Sequence, residues 1–259
     1  TQRSGVLLMD FEAIRRKRRL YFYAMTRGGR SVDPNLAFTK LLMGMEGADG
    51  STAFTDESPD NRTASIGVAG NAQIDTAQFK FGTSSALFDG TGDGLSISST
   101  GLAIRTNQFT IEGWFRPASV TGSQALIHHG LNLSADATNS MSLWMLGGIP
   151  RFSSVPQGSS TWADDLIATT ALSTGAWTHV AVERNAANLM RLYVNGVVEA
   201  SATIAKDIKD VTASRDLRVG QTSGGTLGYN GHADEIAFLM GKARFDGAFS
   251  PPTSAYERP

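Results

Sequence analysis

The chain has 259 residues, of which 41% are hydrophobic and 18% charged, with 28 glycines and no cysteine. This composition excludes wholesale disorder and allows one large all-β domain or two smaller ones. The lack of cysteine excludes a disulfide framework and any thiolate metal site, and suits a reducing compartment. Net charge is −1, but residues 1–36 hold eight basic against three acidic side chains and the remainder fifteen basic against twenty-one acidic. A basic arm on an acidic body reads as two functional pieces.

The chain starts at Thr1, the small residue that removal of an initiator methionine leaves, and no apolar run of signal-peptide length follows. The expectation is a chain made in the cytoplasm without an export address. Apolar stretches such as Leu41–Met43 and Leu143–Leu146 are far too short to span a bilayer, so no membrane insertion is expected.

Within the arm, Arg15, Arg16, Lys17, Arg18 and Arg19 run directly into Leu20, Tyr21, Phe22 and Tyr23. Basic residues beside aromatics can hold nucleic acid through phosphate contacts and stacking, although a five-residue run is a weak motif for it. They can equally dock on an acidic protein surface with Tyr21, Phe22 and Tyr23 as anchors. The third reading is a solvated short helix from about Asp10, its aromatics tucked against the body. Gly28-Gly29 and Asp33-Pro34 read as a hinge, giving an anchoring arm over 1–36 and a body over 37–259.

From residue 40 the apolar period is two, with turns every eight to fifteen residues. Ser85–Phe88 and Leu95–Ser98 are strands around an Asp/Gly turn. Phe109, Ile111 and Phe115 alternate with Thr110, Glu112, Trp114 and Arg116, a strand with two different faces. Met141–Leu146 is a short strand closed by Gly147-Gly148, whereas Asp164-Asp165 fall in a Ser/Thr-rich loop. Trp177–Arg184 and Leu189–Val194 follow, and Asn195-Gly196 is a two-residue hairpin signal into Val197–Thr203. Leu217–Gly220 and Glu235–Leu239 complete the set. No helical stripe of comparable length follows residue 40, so an antiparallel two-sheet sandwich is predicted.

Three ordered segments carry a resemblance: Phe109–Phe115, Trp177–Ala181 and Leu192–Gly196. Lys80–Gly90 precedes them, and Asp234–Ile236, Ala243–Phe245 and Phe249–Pro252 close the pattern. Over roughly residues 40–256 this resembles the laminin-G-like, concanavalin-A-like jelly roll, and the closing segment is similar to copies carried by tailed bacteriophages. The resemblance implies a domain that binds sugars, proteins or cell surfaces, often with one calcium. It implies a virion location, as a capsid-decorating or tail accessory and adhesion component. The arm would then join other virion proteins, and a homo-oligomer is the default expectation for a virion attachment. A free-standing carbohydrate-binding module is the alternative, and a glycan hydrolase a more remote one.

Retaining hydrolysis needs two carboxylates about 5–5.5 Å apart, hence acids at i and i+2 or i+4 of one strand. Asp234 and Glu235 are adjacent and face opposite ways, while Glu112 and Glu183 lack acidic partners on their own strands, so no catalytic residue is assigned. His128-His129 read as a strand-end polar pair that diverges, and His179 as a structural histidine. For calcium, Asp89 and Asp93 of the Asp/Gly loop and Asp234 are the candidates, against the reading that these residues serve turn geometry. Aromatic platforms for a glycan are Trp162, Trp144 and Tyr229, while Trp114 and Trp177 read as packing. Trp162 stands in a polar loop, as a contact residue or as a plug closing one end of the core.

Overall fold

The alternation after residue 40 becomes fifteen strands in a computed structural model of the chain, which describes residues 33–259. In order they are β1 (Thr39–Met43), β2 (Gly67–Ala69), β3 (Gln73–Asp75), β4 (Ser85–Asp89), β5 (Gly94–Ile97), β6 (Phe109–Pro117), β7 (Ser123–His129) and β8 (Met141–Leu146). The rest are β9 (Ile149–Ser154), β10 (Ala163–Ile167), β11 (Thr178–Arg184), β12 (Leu189–Val194), β13 (Val197–Thr203), β14 (Leu217–Val219) and β15 (Asn230–Met240). Helical structure among the described residues is confined to 3-10 turns at Leu36–Phe38 and Thr63–Ser65. No described helix is long and apolar enough to cross a membrane. The basic and aromatic residues of the arm from Arg15 to Tyr23 lie outside the described residues.

The first sheet runs β13-β12-β11-β6-β15-β4-β3 with β1 also paired to β15, and the second runs β10-β9-β8-β7-β14-β5-β2. The long strand β15 changes partners along its length. Asn230–Ala233 pair with β4 and Ile236–Leu239 with β1, and a bulge separates them where Glu235 takes φ 49°. The Asn195-Gly196 hairpin forms as its sequence dictates, at φ 49° and 77°. A Cβ on Gly196 would stand 1.9 Å from the carbonyl oxygen of Phe249, so the turn is also a seat for the C-terminal segment.

Inward side chains of both sheets make one core. Phe109 meets Phe152 of the opposite sheet with centroids 5.9 Å apart, and Tyr229 packs edge-on to Phe115 at 5.8 Å and tilted against Phe88 at 6.2 Å. Each such ring, fully buried, stabilises the fold by roughly 1.5–3 kcal/mol.

Strand β6 departs from the expected half-wet strand: every residue but Arg116 is buried. The outer face of the first sheet is covered by residues 241–259. Phe245 and Phe249 stack at 3.5 Å and 2° and stand edge-on to His179 and Tyr193. Tyr256 packs on Leu42, Ala237 and Leu239. Two local expectations are also corrected. Asp164 and Asp165 belong to β10, not to a loop, because their backbone pairs with Ser153 and its neighbours through a bulge. Trp177 precedes β11, which begins at Thr178.

Candidate functional site

The second sheet presents its outer face through a row of paired residues. Ser153 of β9 stands opposite Ser142 of β8, Ser142 opposite His128 of β7, and His128 opposite Arg218 of β14. Trp144, two residues along β8 from Ser142, is on the same face because side chains alternate, and it pairs with Arg151. Loop residues then close over this face. Trp162, just before β10, tilts against the His128 ring at 5.8 Å and 39°. Its indole N–H donates to the carbonyls of Asn132 and Ser134, at 3.2 and 3.1 Å.

The two tryptophans, eighteen residues apart in sequence, thereby line one hollow of about 300 Å³ together with Leu133 and Ser153. Trp144 is held firmly: its N–H donates to Ser153 Oγ at 2.9 Å, the Arg151 guanidinium lies 5.4 Å from its ring centre, and only 8% of it is exposed. Trp162 is half-buried, so it offers more of its ring to solvent. Both N–H groups are spent on the protein, and what remains is apolar ring surface bordered by hydroxyl and carbonyl groups. Such a hollow takes a small ligand with an apolar face and a polar rim, and its volume lies at the small end of ligand pockets.

The third aromatic candidate, Tyr229, is corrected. It is fully buried in the core, with its hydroxyl donating to the His232 carbonyl at 3.1 Å, and it reaches no surface. Tyr229 follows a glycine-rich stretch that reads as exposed turn, so its burial carries no local signal.

The three proposed calcium ligands are not brought together. Asp89 and Asp93 organise the Asp/Gly turn: Asp89 Oδ1 accepts the Thr91 N–H at 2.7 Å, and Asp93 accepts those of Asn71 and Asp89 at 2.7 and 2.8 Å. Asp234 lies in the first sheet, where its carboxylate accepts the N–H groups of Lys80, Phe81 and Glu235 at 2.8, 3.1 and 2.8 Å. Burial pushes its carboxyl up to about 7 despite these donors. No group of three or more His, Asp or Glu side chains suited to a metal ion occurs among the described residues. Asp93 and Asp234, each engaged by backbone donors, and Asp89 apart from Asp234, do not assemble the six to eight oxygen ligands of calcium.

The acids of the first sheet are engaged in the same way. Glu112, fully buried, pairs with Arg244 at 2.7 Å and His179 at 3.1 Å and accepts the Tyr256 hydroxyl. Burial raises the Glu112 carboxyl, but Arg244, His179 and Tyr256 together hold it below the ordinary glutamate value. Glu183 accepts the Tyr193 hydroxyl at 2.6 Å and the N–H groups of Phe245 and Asp246 at 3.0 and 2.8 Å. Glu235 pairs with Arg258 at 2.6 Å. Their work is to hold the C-terminal segment down, a role invisible to a search for acids on a single strand.

His128 and His129 diverge as adjacent strand residues must. Burial pushes them down to about 3 and about 4, so both are neutral at pH 7. His129 Nε2 donates to the Arg215 carbonyl at 3.1 Å, and His128 supports Trp162.

The profile of the concanavalin A-like lectin/glucanases superfamily matches residues 89–242. The chain belongs to this superfamily. No curated protein matches it. Solved structures with the same fold include domain 4 of AbnA, an extracellular arabinanase from Geobacillus stearothermophilus, in complex with arabinotriose. That match has 18% identity and a TM-score of 0.57, covering 83% of this chain and 95% of that one. The botulinum neurotoxin serotype D ligand-binding domain in complex with N-acetylneuraminic acid matches at 15% identity and a TM-score of 0.59, covering 82% and 50%. The binding domain of paraclostridial mosquitocidal protein 1 matches at 13% and 0.60, covering 82% and 51%. The chain thus spans about half the length of the toxin domains and nearly all of the arabinanase domain.

Proposed function

We propose that the sandwich is a non-catalytic carbohydrate-binding module whose sugar sits in the Trp144–Trp162 hollow. The observation that carries this reading is the convergence of the two tryptophans on one hollow, with their N–H groups satisfied and polar groups at the rim. Sugar-bound structures of the fold support it by analogy. The engagement of Glu112, Glu183, Asp234 and Glu235 with the protein itself supports binding over hydrolysis.

The arm, with its excess of basic residues, is the proposed means of fastening the module to a larger acidic assembly, a virion being the setting suggested by the closing sequence segment. Deleting residues 1–36 tests this half separately: attachment to particles should be lost and glycan affinity kept. The module itself is tested by calorimetric titration of the full chain with neutral and acidic oligosaccharides. Trp162→Ala should weaken binding at least ten-fold, about 1.4 kcal/mol, without changing the melting temperature by more than a few degrees. Unchanged affinity in this variant would overturn the assignment.

A further inference from the structure

A second hollow of about 320 Å³ opens on the β14 side, lined among others by Thr212, Arg215, Asp216, Arg218 and Ser223. Strand register places it beside the first. Arg218 of β14 is directly opposite His128 of β7, and Trp162 rests on His128, so Trp162 stands between the aromatic hollow and the arginines. Two to three strand spacings of about 4.8 Å separate Arg218 from Trp144 and Ser153, roughly 10–14 Å across the face.

Arg62, Arg105, Arg191, Arg244 and Arg258 each pair with a carboxylate. Arg215 and Arg218 form no ion pair among the described residues, although Asp216 lines the same hollow. Each is instead positioned through Nε: Arg215 donates to Thr138 Oγ1 at 2.9 Å and Arg218 to Ser223 Oγ at 3.3 Å. That fixes the planes of both guanidinium groups and leaves their terminal nitrogens free to act as paired donors, the geometry that matches a carboxylate.

We propose that the glycan bound by this face is an acidic oligosaccharide, with one sugar against Trp162 and Trp144 and a carboxylate on a neighbouring sugar held by Arg215 and Arg218. This rests on the glycan-binding reading and adds the ligand class to it. The test titrates the full chain with matched neutral and carboxylated probes: lactose with 3′-sialyllactose, and chitotetraose with the hyaluronan tetrasaccharide.

The carboxylated member of at least one pair should bind ten-fold or more tightly at low salt, with the preference shrinking as sodium chloride is raised. Arg218→Ala and Arg215→Ala should each reduce that preference to less than three-fold while neutral-sugar affinity stays unchanged, whereas Trp162→Ala should weaken both members. Equal affinity for neutral and carboxylated probes would overturn this inference and leave the glycan-binding reading standing, as would arginine variants that weaken both members alike. No binding of any probe would overturn both.

Discussion

Replacing Glu112 with alanine tests the claim that the buried acids of the first sheet serve the C-terminal segment. The side chain is fully buried and holds Arg244 at 2.7 Å, His179 at 3.1 Å and the Tyr256 hydroxyl. Removing one member of a buried charge pair costs about 3–5 kcal/mol, because the other charge is left in a poorly solvated site. For a domain of this size about 1 kcal/mol moves the melting temperature by roughly 2–4 °C, so Glu112→Ala should melt about 6–20 °C lower at pH 7.

The pH dependence supplies an independent arm. The folded-state carboxyl lies below its unfolded value, so its contribution is present above about pH 4.3 and is lost as the pH falls through the lower folded value. The difference between wild type and variant, followed by circular dichroism across pH 7 to 3, should therefore narrow at the acid end. Tyr256→Phe should couple to Glu112→Ala by 0.5 kcal/mol or more in a double-mutant cycle. A loss below 1 kcal/mol at neutral pH, or strictly additive effects, would refute the view that this acid clamps the tail.

Three further outcomes follow from the same geometry. Asp234, raised by burial to about 7, binds a proton in the folded state over a range where the unfolded chain has released it. Stability should therefore fall as pH rises from about 4 to 7, and Asp234→Asn should flatten that decline in a melting-temperature series. Gly196→Ala forces a side chain into the left-handed region and onto the Phe249 carbonyl; denaturant unfolding should show a loss of at least 1 kcal/mol. Phe249→Ala removes a stacked ring from the tail and should cost about 1–3 kcal/mol, with chymotrypsin cleavage near the C-terminus accelerating.

Much of the sandwich was legible because each core strand carries its own signal. Leu189–Val194 and Val197–Thr203 match their strands residue for residue, since alternation and an Asn-Gly turn fix both the period and the register. Strands β9 and β10 were not legible. Ile149–Ser154 contains a proline, an arginine and two serines, and Ala163–Ile167 carries two aspartates directly after its first residue; they are strands because neighbours pair with them.

The candidate site was half legible for a related reason. Residue type marked Trp144 and Trp162 singly, but only the order β10-β9-β8-β7-β14 brings them together and places Arg218 nearby. Tyr229 had the same chemistry and went to the core, because what decides an aromatic's role is the face it occupies. The acids misled in the opposite sense. Their partners, Arg244, Tyr256 and Arg258, lie more than twenty residues away in sequence for Glu235 and more than a hundred for Glu112, beyond the reach of any single-strand pattern.

Glycan binding in the Trp144–Trp162 hollow is tested most directly by one titration: wild-type chain and Trp162→Ala, side by side, against 3′-sialyllactose and the hyaluronan tetrasaccharide. Saturable binding by the wild type that drops at least ten-fold in the variant, with the fold intact by circular dichroism, is the predicted result. Binding that is absent in both proteins, or equal in both, would contradict it.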